Sequence, residues 1–257
     1  MIRGLYTSAM GMAVQMSSLD VVANNLANAN TNGFRNATAV QQSFPDMLML
    51  SLNSVPNNPI HRVHPVGGTG HGVVVSNISV NFAQGPFENT GGDLDVALSG
   101  DGFFSVETIL PSGEAVQMFT RNGAFTVNTD RHLINFNGDR ILNTDGTPIL
   151  LPDGEIVIEA NGVIRVNGDI LTTLGIVNFE DPSLLRQHGY NLFAQNNAEI
   201  IPFTGSVEQG YLERSNVNVV REMVQMINIS RAYELNQRMV GIADQTLGQA
   251  VNEIARR

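Results

Sequence analysis

Apolar residues at the start of the chain recur with a helical period. Ile2, Leu5, Ala9, Met12, Met16, Leu19, Ala23 and Leu26 are spaced alternately by three and four residues, an a/d heptad seam sustained over more than three heptads. A helix over residues 2–28 would reach about 40 Å at 1.5 Å per residue. The end of the chain carries a counterpart: Val219, Met223, Met226, Ser230, Tyr233, Gln237, Val240, Asp244, Leu247, Val251 and Ile254 step by four and three. Ser230, Gln237 and Asp244 make this second seam less regular, and Val220, Val224, Ile227, Leu235, Met239 and Ile242 widen its apolar stripe.

Between the helices the pattern switches to alternation. Asn122-Gly123, Asn137-Gly138, Asp145-Gly146, Asp153-Gly154, Asn161-Gly162 and Asn167-Gly168 punctuate the centre about every eight residues, the rhythm of short strands joined by hairpins. "FTV", "LINF", "EIVIEA", "VIRV" and "LGIVNF" read as strands. Residues 30–72 fit neither period, and "NSVPNNPIHRVHPVGGTGHG" reads as loop or extended linker. The expected fold class is α+β. Long terminal helices pair as a coiled coil, with an all-β domain inserted between them. The segments are an N-terminal helix (1–35), a linker (36–72), the β-domain (73–205) and a C-terminal helix (206–257).

Charge changes this picture. Only 15% of residues are charged, against roughly 25% in an average globular chain. The net charge of -10 argues against nucleic-acid binding, which rests on cations. All 14 cations are Arg, so a Walker-type loop and a Schiff-base mechanism lack their lysine. With no cysteine there is no disulfide or thiolate site. The first 20 residues lack the apolar run of a signal peptide, and no stretch approaches the roughly 20 apolar residues of a spanning helix, so direct membrane insertion is not expected.

Residues 1–30 hold only Arg3 and Asp20 as charges, and the "LDVVANNLANANTNGF" stretch crowds asparagines into a helix end. With Leu19, Ala23 and Leu26 on one face, Asn24, Asn25 and Asn28 fall opposite, beside Met10, Val14, Ser17 and Val21. A helix apolar or amide-lined all round is buried all round, and one partner helix covers one stripe. The second face is therefore expected to meet other copies of the chain, its amides offering hydrogen bonds without the desolvation cost of a charge. Gly33 suits a left-handed helix stop.

Catalytic and metal chemistry find little support. His61, His64 and His71 have the right side chain for a metal but sit among Pro and Gly with nothing to fix their geometry. "GGTGHG" follows a linker rather than a strand, against a dinucleotide loop. Asp93, Asp95 and Asp101 lack an accompanying base–nucleophile set. No catalytic residue, metal ligand or cofactor is expected.

"LDVVANNLANANTNGFR" and "GYLERSNVNVVREMVQMINISRAYELNQRM" resemble the N- and C-terminal signatures of the bacterial flagellar rod and hook axial proteins, and "LDVALSGDGFFSV" with "FTRNGAFTVNTDRHLINFNGDRIL" resembles the β-domain of the basal-body rod family. The resemblance spans nearly the whole chain. It implies a structural subunit, not an enzyme, that polymerises helically through its terminal helices into a hollow, torque-transmitting shaft. Its implied partners are itself, adjacent rod and hook proteins, and the flagellar type III export apparatus. Its implied location is the basal body, outside the cytoplasm and periplasmic where an outer membrane is present. Length and "GYLERSNVNVV" favour the distal rod; a proximal-rod or hook-type protein is the nearest alternative. A secreted β-domain binding module or adhesin on a helical stalk is the reading from another class. The expected polymerisation interface comprises Leu19, Ala23, Asn24, Asn25, Leu26, Asn28, Asn216, Asn218, Met223, Met226, Ile227 and Tyr233.

Overall fold

The structure, a computed structural model, describes residues 2–43, 47–53, 62–69, 72–111, 113–189 and 191–254. Two helices frame the chain: α1 (Ile2–Ala27) and α2 (Val219–Ile254). The described residues between them are almost all strands, turns and loops. The chain separates into two compact units. One holds residues 1–24, 37–79 and 220–257; the other, here called the β-body, holds residues 25–36 and 80–219.

The β-body is built on a nine-stranded sheet centred on Phe103–Ile109, which pairs antiparallel with Ala115–Thr120 on one side and with Arg140–Ile141 and Ile176–Phe179 on the other. A three-stranded sheet (Ile156–Ile158, Val163–Val166, Asp169–Thr173) follows. The Asn167-Gly168 dipeptide joins its last two strands as a two-residue hairpin, with Val166 opposite Asp169. Each of the five strand-like runs read from the sequence contains a strand. Val96, Phe104, Val106, Ile141, Ile164 and Leu174 form the heart of the larger core. Phe103, Phe119, Phe179 and Phe193 form a second, aromatic core, with edge-to-face pairs at 5.0–5.6 Å between ring centroids.

In the other unit the described parts of the segment expected as linker are largely extended and paired. Ala37–Ser43 pairs with Val73–Val80, and Met47–Asn53 pairs antiparallel with Arg62–Thr69. His64 lies in the last of these strands, while His61 and His71 fall outside the described residues. α1 and α2 run antiparallel within this unit. A Cβ on Gly11 would lie 3.0 Å from Asn236 Nδ2. Two turns further along α1, Ser18 and Val22 share a small pocket with Ala37, Gln41, Gln225 and Ile229.

The phase of both helices differs from the expected seams. In α1 the buried row is Val14, Ser18, Val21 and Asn25, with Val22 beside it. This is the face expected to await another subunit. Met16, at the centre of the expected seam, is 62% exposed, while Met12, Leu19, Ala23 and Leu26 are half-buried. Apolar periodicity could not decide between the faces because neither carries charge; Gly11 and Ser18 decide it by admitting close approach. In α2 the row of Met226, Val240 and Leu247 is retained, half-buried. The companion row moves back one residue, from Met223, Ser230, Gln237, Asp244 and Val251 to Glu222, Ile229, Asn236, Ala243 and Ala250. Glu222 and Ile229 are buried, whereas Met223, Gln237, Asp244 and Val251 are exposed. Of the polar intrusions into the expected seam, Gln237 and Asp244 thereby leave the interior, while Ser230 is half-buried.

Candidate functional site

α2 carries apolar residues on two sides. At 100° per residue, Val220, Val224, Ile227, Leu235, Met239 and Ile242 fall within an arc of roughly 120°, while Glu222, Met226, Ile229, Asn236, Val240 and Ala243 lie on the far side. All six of the first group are exposed, Val220 at 71% and Leu235 at 61%. They form two apolar groups on one helix face, Val220, Val224 and Ile227 and then Leu235, Met239 and Ile242, with the exposed Arg231 between them.

Of the expected interface residues on α2, Ile227 lies on this face, Met223 flanks it, and Met226 and Tyr233 lie on the far side. Met223, Ile227 and Tyr233 are exposed on α2, and Met226 is half-buried. On α1, Asn24 is exposed, Leu19, Ala23 and Leu26 are half-buried, and Asn25 is buried. Asn28, just beyond α1, is half-buried and accepts a hydrogen bond from Thr31 Oγ1 at 3.1 Å. Asn218 is exposed. Asn216 is engaged inside the β-body. Its Oδ1 accepts from the Asn36 N–H (2.7 Å), and its Nδ2 donates to the carbonyls of Asn81 (2.9 Å) and Ala83 (2.8 Å).

Beside Asn216 lies a cluster that the sequence reading did not single out. Glu213, 1% exposed, ends the short strand Tyr211–Glu213. Its Oε1 accepts from Arg35 Nη1 (2.6 Å) and the Gly85 N–H (2.8 Å), and its Oε2 from Arg121 Nη1 (3.3 Å). Arg35 and Arg121 are themselves buried. Arg121 also donates to the Gly100 carbonyl at 2.7 Å and lies 5.4 Å from the centre of the Phe103 ring. Burial pushes its guanidinium pKa down to about 10, with the attraction of Glu213 opposing this and the repulsion of Arg35 reinforcing it. The cluster holds two cations and one anion, so removing Glu213 would strand two like charges.

The backbone supports this arrangement. The Gly33 N–H donates to the Glu213 carbonyl at 2.7 Å, and the Asn216 N–H to the Phe34 carbonyl at 3.4 Å. Gly33 sits at φ 68°, where a Cβ would come within 2.6 Å of the Arg121–Asn122 peptide; only glycine fits both constraints. A Cβ on Gly85 would approach the Arg214 carbonyl oxygen to 2.0 Å. "TNGFR" and "LERSN" are thus two halves of one structure, closed onto the turn that follows Thr120.

Of the aspartates weighed for chemistry, Asp95 is tied into local structure. Asp95 Oδ2 accepts from Thr90 Oγ1 at 2.5 Å, and the Asp95 carbonyl accepts from the Gly210 N–H at 2.8 Å. Among the described residues no three His, Asp or Glu side chains are grouped to hold a metal ion. No described helix is long and apolar enough to cross a membrane.

Three family models match the chain in order. Residues 5–35 match the flagella basal body rod protein model, residues 97–166 the flagellar hook protein FlgE/F/G D1 domain, and residues 208–253 the flagellar basal body rod FlgEFG protein C-terminal model. The first and third cover both halves of the cluster around Glu213. Flagellar basal-body rod protein FlgG of Borreliella burgdorferi is 34% identical, covering 98% of each chain. FlgG of Agrobacterium fabrum is 34% identical over 95% of this chain and 96% of that one. Flagellar basal-body rod protein FlgF of Caulobacter vibrioides is 31% identical over 96% of each. With whole-length identity at this level and three ordered motif matches, the chain belongs to the flagellar basal-body rod protein family.

Proposed function

We infer that this chain, a structural subunit of the flagellar basal-body rod, polymerises helically through α1 and α2 into a hollow shaft that transmits torque. The observation that carries this reading is the exposed apolar face of α2, opposite the face the subunit buries for itself. Burying such surface stabilises by roughly 25 cal/mol per Å², and a second copy of the chain supplies a matching surface at every step of a helical array. α1 contributes Met16 and the half-buried row of Leu19, Ala23 and Leu26. Coiled-coil pairing of the terminal helices, within and between copies, is the packing their heptad spacing suits.

The distal position is favoured by whole-length likeness to several FlgG proteins; likeness to a FlgF protein makes the proximal rod the second reading. On this proposal the neighbours along the shaft are other rod and hook proteins. Delivery is by the flagellar type III export apparatus. The site of action is outside the cytoplasm, periplasmic where an outer membrane is present.

The test is complementation of a strain lacking the gene, with basal bodies imaged by electron microscopy. Val224→Asp and Leu235→Asp, both on the exposed face, are expected to leave the purified chain folded with an unchanged melting temperature and to abolish the shaft. Leu26→Asp and Met226→Asp are expected to block assembly while leaving the β-body folded. Normal motility in all four would overturn the reading. Imaging the gene-deleted strain also separates the two positions, since a missing proximal subunit removes more of the shaft than a missing distal one.

A further inference from the structure

The chain passes between its two compact units four times, after residues 24, 36, 79 and 219. Inside the β-body, the segments at those passages are tied to one another. Asn216, three residues before the last passage, holds the Asn36 N–H and the Asn81 and Ala83 carbonyls with one side-chain amide. The Asn81 N–H donates to the Asn36 carbonyl at 2.8 Å. Arg214 Nη1 reaches the Asn30 carbonyl at 3.3 Å, and Asn191 Nδ2 the Asn32 carbonyl at 3.0 Å. Glu213 then fastens this bundle to the body of the sheet through Arg121 and to the chain after Val80 through the Gly85 N–H.

We propose that this Glu213–Asn216 knot is the joint through which the β-body takes up and returns twist in the working shaft; the proposal rests on the shaft reading above. A lone segment entering a domain swivels about its own φ and ψ at little cost. Segments hydrogen-bonded side by side cannot turn independently without breaking those bonds. The ones Glu213 makes to Arg35, Gly85 and Arg121 are buried, where an unmade bond is costly, while those of Asn216 to Asn81 and Ala83 are exposed and act through their number and fixed directions. Asn216 is suited to the task because one planar amide offers two donors and an acceptor in fixed directions. Glu213 is suited because, among the described residues, it is the carboxylate hydrogen-bonded to both buried guanidiniums, so its departure exposes their repulsion. Both are positioning residues: they act by fixing where the chain enters and leaves the β-body.

The test uses the full-length chain in the gene-deleted strain. Asn216→Ala removes all three side-chain ties while leaving the apolar faces of α1 and α2 untouched. The expected result is shafts in normal number by electron microscopy, with rotation that fails under load. Tethered beads of increasing size should stop or detach at loads at least several-fold lower than with the natural chain, while free swimming persists. Shafts that assemble and carry the full load would overturn the proposal. Should the variant fail to assemble, amide exchange on the purified full-length chain decides. The Gly33, Asn36, Asn81 and Gly85 amides are expected to exchange about tenfold faster, with Ser105 and Leu142 in the sheet unchanged. Uniform acceleration, sheet included, would make the knot part of general folding and reject it as a joint. Intact shafts in the strain lacking the gene altogether would instead overturn the shaft reading itself.

Discussion

Two arginines share one glutamate in the interior of the β-body, and the three are not equivalent. Arg121 is the weaker partner of Glu213, at 3.3 Å against 2.6 Å for Arg35. Burial lowers its pKa to about 10, well below the ordinary arginine value. A cation whose folded-state pKa lies below its unfolded value is held at a cost throughout neutral pH, and that cost is relieved only as pH rises through about 10 and above. Removing Arg121 therefore removes a penalty along with its hydrogen bonds. Arg121→Met is expected to destabilise by about 1–2 kcal/mol. Glu213→Gln, which strands two buried cations, is expected to cost about 3–5 kcal/mol. Urea melts of the two variants at pH 7 check the order; equal losses would contradict the unequal roles. None of this was legible in the sequence. Arg35 and Glu213 are 178 residues apart, and no local pattern distinguishes a buried Arg from a solvated one. What was available was the coincidence of "TNGFR" and "LERSN" within the two signatures, together with Gly33, whose left-handed φ was anticipated, although as a helix stop, whereas α1 ends at Ala27.

The strands were more legible than the helices' orientation. Turn dipeptides fix hairpins by local chemistry, and the runs between them became strands because Asn and Gly supply the backbone geometry such turns need. Helix existence was equally clear from the heptad spacing, since α1 and α2 occupy the expected regions. Which face turns inward was not, because charge normally marks the outer face and α1 has almost none. In α2 the polar residues Ser230, Gln237 and Asp244 in the expected seam were the available warning. The structure moves the companion row by one residue, placing Ile229 inside and Val224 outside. Ile229→Ala is accordingly expected to lower the stability of the isolated chain by about 2–4 kcal/mol through loss of buried methyls. Val224→Ala should change it by less than about 0.5 kcal/mol. Thermal melts that rank the pair the other way would contradict the inward face assigned to α2. The segment after α1 was read as linker because Pro and Gly interrupt it; its described parts pair as strands whose partners could not be read from local sequence.

On the scale of the whole chain, cation placement makes a reporter. Every cation is arginine, so trypsin reads one residue type throughout. Arg221, Arg231 and Arg238 are exposed along α2, whereas Arg35 and Arg121 are buried. Long helices of this kind owe most of their stability to packing of an apolar face, and one such face of α2 has no cover within the subunit. In the free chain, trypsin is expected to cut α2 at those three residues before it cuts at Arg35 or Arg121. In assembled shafts the same three bonds should be protected. Mass spectrometry of the first fragments distinguishes the two; unchanged cleavage after assembly would show that α2 stays open to solvent in the polymer.

The placement of Glu213 has a temporal consequence. Its two guanidinium partners, at residues 35 and 121, are both made long before it. In a chain made from its N-terminus, the carboxylate that hydrogen-bonds to both guanidiniums follows the later of them by 92 residues. A product broken off before Glu213 stays unlatched at this joint.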